Sequence, residues 1–353
     1  MKTSQAGKRW SIAGVGILLI LQAGSAIAEA FPKELFSLAR NQPRIEKIFY
    51  WDNHIVVQTG NFFFDLDIAE GRATPIYFVG ERSLLAATTA IGKPYAMAPN
   101  GVLFHRSGKR DWNMIEFPEA KPKDKDGSYL VVGDAKQLVS LGRRGFKIYD
   151  GKSWIIHQYS EEFSPENGDP CALRKDKLYL GKNQGEFGGG LYLLDLSSGK
   201  WTKLNDRRIT DIQQAPDGTL WVTSGLSHLG GRTGEIASVT DSGIVDQVLV
   251  SNFDGSTKKW PFDATDFQAV QFTQQGDPIV LTPHLGILTL REDKWIRLTP
   301  KWNQHVYLSA FLRVDEHRFV IGTYDAGVVV VDLKEQTEMA IQLATSFYDW
   351  EAK

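Results

Sequence analysis

Residues 188–201 read GGGLYLLDLSSGKW: a glycine entry, an apolar ribbon from Leu191 to Leu194, a polar turn from Asp195 to Gly199, and Trp201 opening a second ribbon. Short apolar runs bounded by glycine and serine read as strands, and a turn of this kind joins two of them as a hairpin. The same order recurs in GRRGFKIYDGKSW (142–154) and HLGILTLREDKW (284–295). Weaker copies are GNFFFDLDIAEGRA (60–73), APNGVLFHRSGKRDW (98–112), RTGEIASVTDSGIV (232–245) and DAGVVVVDLKEQTE (325–338). The copies end at Ala73, Trp112, Trp154, Trp201, Val245, Trp295 and Glu338, 39 to 50 residues apart. A period near 40–50 filled with strands marks a propeller blade.

The stretch upstream of each copy supplies the other half of a blade. Ile209 to Ala215 reads as a strand, Pro216-Asp217-Gly218 as a turn and Leu220 to Ser224 as a second strand. The chain is therefore expected to be all-β, a seven-bladed β-propeller of four-stranded antiparallel blades, an architecture that leaves few exposed edges. Asp150-Gly151, Ser198-Gly199, Asp217-Gly218 and Ser242-Gly243 supply the positive φ of tight hairpins. Trp154, Trp201 and Trp295 recur at one position, which points to packing between blades rather than to a ligand platform. The segment closing the ring is either the one before Ile45 or the one after Leu343.

Composition agrees with an exported globular protein. The 353 residues are 42% hydrophobic and 23% charged, which excludes a disordered chain. Lys2, Lys8 and Arg9, the apolar run Ile12 to Leu21, and Ala26-Ile27-Ala28 form the three zones of a secretory signal with a cut after Ala28. The apolar run is shorter than a bilayer span, so membrane insertion is not expected. The domain reading is a signal peptide at 1–28, a lead-in at 29–44 containing the mildly helical FPKELFSLAR (31–40), the propeller at 45–345 and a tail at 346–353. Cleavage leaves 37 Lys and Arg against 42 Asp and Glu, with no basic surplus for nucleic acid. A single cysteine, Cys171, rules out an internal disulfide and reads as a buried thiol. The localisation expected is periplasmic or secreted, and the state monomeric.

The repeat grammar resembles the two-component-regulator propeller repeats that stand in bacterial sensor proteins. APDGTLWVTSG (215–225) resembles their D-G-x-L-W-V-G-T half, with Ser224 where threonine is usual, and GGGLYLLDLSSGKW resembles their glycine-led strand with G-x-W. Phe319 to Thr323 echoes the first half again. The resemblance implies blade packing, not chemistry. No spanning helix or kinase follows here, so no signalling output of the chain's own is expected.

Catalytic patterns are sparse. The glycine-rich stretch GKNQGEFGGG (181–190) lacks a phosphate-loop ending and reads as an elongated hairpin loop, as does Gly225 to Gly234. The run Lys121 to Asp126 reads as a solvated connection. No cofactor, metal or catalytic residue is expected. What remains is a ring of loops on one rim, carrying Arg143, Arg144, Lys182, Asn183, Glu186, His228, Arg232, His284, Tyr324 and Asp325. Loops on a rigid scaffold are where binding resides. The reading is a non-enzymatic propeller binding a protein or peptide partner through that rim, as a sensor accessory, envelope scaffold or inhibitor. The alternatives are a hydrolase or lyase with an axial site at His228 and His284, as in streptogramin-lyase-type and lactonase-type propellers, or a small-ligand sensor.

Overall fold

The computed structural model describes residues 44–343, apart from 52, 61, 77–85, 91–92, 98–102, 107–111, 116–127, 162, 167, 229–230, 252–261, 264, 293, 301–306, 325–326 and 342. The signal sequence, its cut site, the segment 31–40, the run Lys121 to Asp126, Asp325 and the tail 346–353 lie outside the described residues.

The strands fall into seven four-stranded antiparallel sheets, each joined in chain order. Blade 1 holds β1 to β4 (Lys47–Trp51, His54–Thr59, Phe62–Asp67, Arg72–Pro75) and blade 2 holds β5 to β8 (Ala86–Ala90, Lys93–Met97, Leu103–Arg106, Trp112–Ile115). Blade 3 holds β9 to β12 (Ser128–Gly133, Leu138–Gly142, Gly145–Tyr149, Trp154–Gln158). Blade 4 holds β13 to β16 (Cys171–Arg174, Lys177–Asn183, Gly189–Asp195, Lys200–Asn205) and blade 5 holds β17 to β20 (Ile209–Gln214, Leu220–His228, Gly231–Thr240, Gly243–Ser251). Blade 6 holds β21 to β24 (Ala269–Phe272, Pro278–Thr282, Gly286–Arg291, Lys294–Arg297). Blade 7 holds β25 to β28 (Leu308–Arg313, Arg318–Thr323, Val328–Asp332, Thr337–Ile341). The first strand of each sheet lies against the first strand of the next, and β1 lies against both β5 and β25. The sheets therefore stand radially around an axis.

Apolar cores fill the wedges between sheets. Leu178, Leu180 and Leu194 of blade 4 pack on Val139 and Leu141 of blade 3, while Tyr179 and Leu191 pack on Ile212 and Val222 of blade 5. Alternate residues of one strand thus face opposite neighbours, as the twofold period of a strand requires. A strand buried on both faces reads as a continuous apolar run, which is why Val328 to Val331 is tolerated. Trp201 and Trp295 are buried in the wedges, and Ala73 occupies the corresponding position in blade 1.

The expectation of seven equivalent units is corrected at the closure. Six junctions are chain links; the seventh, between blades 7 and 1, shares no strand across the seam. At the linked junction of blades 4 and 5, Ile209 enters a slot floored by Gly181, where an added Cβ would meet Ile209 Cγ2 at 2.5 Å. At the seam Ile45 enters the equivalent slot at Gly322, where a Cβ would meet Ile45 Cγ2 at 2.6 Å. Ile45 N–H donates to Thr323 O at 2.9 Å, and both Ile45 and Leu343 are fully buried in the seam core. Residues at both ends of the described span therefore close the ring, by side-chain packing and the Ile45–Thr323 backbone bond, without a shared strand.

Two rims result from this topology. One carries the turns between first and second and between third and fourth strands; call it the turn rim. The other carries the turns between second and third strands and the links from blade to blade; call it the linker rim. On the turn rim, Gly151, Gly199, Gly218 and Gly243 all take positive φ. The expected loops at 181–190 and 225–234 are corrected: the first is a single 3₁₀ turn at Gly185–Phe187 between β14 and β15, and in the second Ser227 pairs with Arg232 and His228 with Gly231.

Candidate binding rim

The topology sets Arg143 and Arg144 in the β10–β11 turn, where both are exposed. Asn183 and Glu186 belong to the tip of the β14–β15 hairpin, His228 and Arg232 to the ends of β18 and β19, His284 to the β22–β23 turn, and Tyr324 to the end of β26. These positions share the linker rim. The 3₁₀ turn packs against β18, so the hairpin tips of blades 4 and 5 meet.

Lys182 stands apart from that set. It is buried, with its ammonium 2.6 Å from Asp169 Oδ2, 3.4 Å from Glu166 Oε1 and 6.0 Å from the centre of the Phe163 ring. Phe163 in turn stacks on Trp201 at 3.9 Å. The pair fastens the link from blade 3 to β14, and burial raises the Asp169 carboxyl even with Lys182 beside it. Lys182 is thus placed to hold the rim rather than to meet a partner.

Several residues the sequence did not single out shape the same rim. Phe187, at the tip of the 3₁₀ turn, is 86% exposed. Tyr307, just before β25, is 63% exposed and Tyr324 is 42% exposed. Their rings meet edge-on at 6.3 Å, Tyr324 N–H donates to Tyr307 O at 3.0 Å, and the Arg44 guanidinium lies 4.2 Å above the Tyr324 ring. Between blades 4 and 5, Arg207 Nε stands 3.4 Å from Glu235 Oε2, and Ser224 Oγ lies 3.5 Å from the same oxygen. Glu235 is buried, which raises its carboxyl, and Oε1 has no hydrogen-bond partner among the described residues. The one local signal for Phe187 is an aromatic residue framed by Gly185 and Gly188.

Toward the axis, Asp211 accepts Ile212 N–H at 2.9 Å, Val270 N–H of blade 6 at 3.0 Å and the Gln213 side chain at 3.1 Å. Burial nevertheless pushes its carboxyl up to about 6, with these bonds and Lys47 opposing the shift. It acts as a polar staple between blades 5 and 6. Cys171, expected as a buried thiol, is only partly buried, and desolvation pushes its thiol up to about 11. Among the described residues no group of three or more His, Cys, Asp or Glu is placed to hold a metal ion.

No protein-family model matches the chain, and no curated protein matches it by sequence. Solved structures do match in shape. YCF48 bound to D1 peptide aligns at 12% identity over 86% of this chain and 95% of that one, with a TM-score of 0.56. This chain is a β-propeller. The extracellular domain of the putative hybrid two-component system BT4673 from B. thetaiotaomicron aligns at 12% identity over 86% of this chain and 39% of that one, with a TM-score of 0.52. The GH74 enzyme of Niastella koreensis aligns at 10% identity over 85% of this chain and 54% of that one, with a TM-score of 0.57. A protein solved with a bound peptide, an extracellular domain of a two-component system and an enzyme share the architecture, so the likeness speaks for the fold alone.

Proposed function

We propose that the chain is an exported, monomeric, non-enzymatic propeller that binds a protein or peptide partner through its linker rim, as a sensor accessory, envelope scaffold or inhibitor. The observation that carries this reading is the distribution of exposed large aromatics: Phe187, Tyr307 and Tyr324 stand on the linker rim and only Tyr50 on the turn rim, among the described residues. Aromatic residues and arginine dominate binding energy at interfaces, and the Arg44 guanidinium lies over the Tyr324 ring. In this reading residues 1–28 direct export and are removed after Ala28, residues 29–44 lead into the propeller at 45–345, and 346–353 form a tail. The blades belong to the two-component-regulator propeller type, with the partner supplying any signalling output.

Capture from envelope extracts tests the rim. Wild type is compared with Arg143→Glu/Arg144→Glu/Arg232→Glu, with Tyr307→Ser/Tyr324→Ser, and with the turn-rim control Lys334→Glu. Loss of the same captured protein in both rim variants, but not in the control, supports the assignment; equal capture by all four removes it. Export is checked separately by sequencing the mature N-terminus, expected at Glu29.

A further inference from the structure

We infer that Glu235 is a receptor for one arginine side chain of the protein or peptide partner, with Arg207 as the cover that gives way to it. The inference rests on the rim reading and names the chemistry of the occupant. Glu235 stands on β19 opposite Ser224 of β18. Alternate residues further along β19, Ala237 and Val239, pack in the core between blades 4 and 5. The chain thus sets a carboxylate at the linker-rim end of an apolar wedge, with its side chain 2% exposed. Among the described residues Oε1 has no hydrogen-bond partner, while Oε2 is met by Arg207 Nε at 3.4 Å and Ser224 Oγ at 3.5 Å. Both contacts are long, since charged N–H donors close on carboxylates to about 2.7–2.9 Å. Burial raises the carboxyl against the pull of Arg207 and Ser224. A buried acceptor left in this state is costly, and such groups call for a partner.

The unmet groups define the occupant. A free acceptor on a carboxylate asks for a cationic donor, and a guanidinium offers parallel N–H groups to both oxygens where an ammonium offers a point charge. The position already admits one guanidinium, that of Arg207, whose side chain is 53% exposed. The Arg207 backbone is held, because its N–H donates to Asn205 Oδ1 at 2.9 Å. The cover can therefore leave by rotation of its side chain. Asn205 Nδ2 is also buried without a hydrogen-bond partner among the described residues. That donor has no use for a free cation but suits a carbonyl oxygen, such as the main chain beside an arginine provides. An arginine within a polypeptide thus answers both groups, one acceptor and one donor, that Arg207 joins. An internal water could meet Oε1 as well, but it would leave Arg207 in place.

The test uses the full chain labelled with carbon-13 at its glutamate carboxyls. The Glu235 resonance is assigned by its loss in Glu235→Gln or, should that variant not fold, in Glu235→Asp. The probes are capped tripeptides with arginine, lysine or citrulline between two alanines, and calcium chloride. The expected result is a saturable shift of the Glu235 carboxyl with the arginine peptide, weaker binding of the lysine peptide, and no shift with citrulline or calcium. Arg207→Ala removes the competing cover and should tighten the arginine peptide about fivefold, while Glu235→Gln weakens it at least about 10-fold. No shift in wild type and Arg207→Ala alike, as a resident water would leave it, overturns the inference. So do lysine or citrulline peptides that bind as well as arginine, a shift with calcium alone, or weaker binding in Arg207→Ala. If Tyr307→Ser/Tyr324→Ser abolishes capture while Glu235→Gln captures as wild type does and the arginine peptide leaves Glu235 unshifted, the rim reading stands and this inference alone fails.

Discussion

On the turn rim, the carboxylates of Asp67, Asp134, Asp150, Asp195, Asp217, Asp315 and Asp332 each accept backbone N–H groups two or three residues ahead. Cross-blade contacts occur at both rims: Lys177 and Tyr179 reach Asp241 and Gln137 reaches Lys175 O on the turn rim, while Arg207 reaches Glu235 and Arg208 reaches Gly185 O on the linker rim, where aromatic rings are left in water. The aspartate turns satisfy themselves locally and leave little for a partner to satisfy. What the linker rim adds is large exposed aromatic side chains. The difference between the rims lies in the exposed aromatics that the proposed function assigns to recognition, while both rims contribute bonds between blades.

The largest effects are expected where the linker rim is structural. Lys182→Met leaves Asp169 half of a broken buried pair and should cost about 3 kcal/mol by urea unfolding. Lys182→Met/Asp169→Leu should recover most of that loss, and a double variant as unstable as the single one would remove the ion-pair account. Next in size, Ile45→Ala empties the seam slot and should cost about 2–4 kcal/mol, matching Ile209→Ala at a linked junction. A seam variant costing under about 1 kcal/mol would mean that Ile45 does not close the ring.

Smaller effects belong to single carboxylates. The Asp195 carboxyl is held down to about 2 by the Ser197 hydroxyl and by the N–H groups of Ser198 and Ser197, so it contributes stability above its ordinary value and loses it as pH falls through about 2. Asp195→Ala should therefore cost about 1 kcal/mol or less at pH 7, a gap that closes in acid. Asp211 has the opposite sign. With its carboxyl raised to about 6, its protonated form stabilises the fold at low pH, and that contribution is lost as pH rises from about 4 through about 6. Asp211→Asn should flatten that stretch of the stability profile, and an unchanged slope would contradict the burial argument. The smallest effect on stability is expected from Tyr307→Ser/Tyr324→Ser, within about 0.5 kcal/mol of wild type, although capture is lost. A large fall in melting temperature would make the pair structural and blur the contrast between rims.

Much of the turn rim could be read from the chain, because its chemistry is local. GGGLYLLDLSSGKW contains both strands, the Asp195 turn and the positive-φ Gly199 that the hairpin needs. The linker rim was legible in position but not in role. Lys182 looks like a solvated loop residue until Asp169, thirteen residues upstream, is folded back on it. The seam was legible as a choice between the segments at Ile45 and Leu343, but not the slot at Gly322, because Ile45 and Gly322 share no pattern and meet only when the ring closes. Gly225 to Gly234 reads as a loop through its glycines, yet β18 and β19 stay paired to His228 and Gly231. Tyr307 lies one residue before β25, and its exposure follows from that position outside the sheet.

Hydrogen exchange of the chain with and without its captured partner tests the central claim most directly. Protection is predicted over 183–188, 205–208 and 323–324 on the linker rim, with exchange in the turns at 195–199, 315–318 and 332–335 unchanged. Protection confined to those turns, or spread evenly over both rims, would contradict the assignment of recognition to one end of the ring.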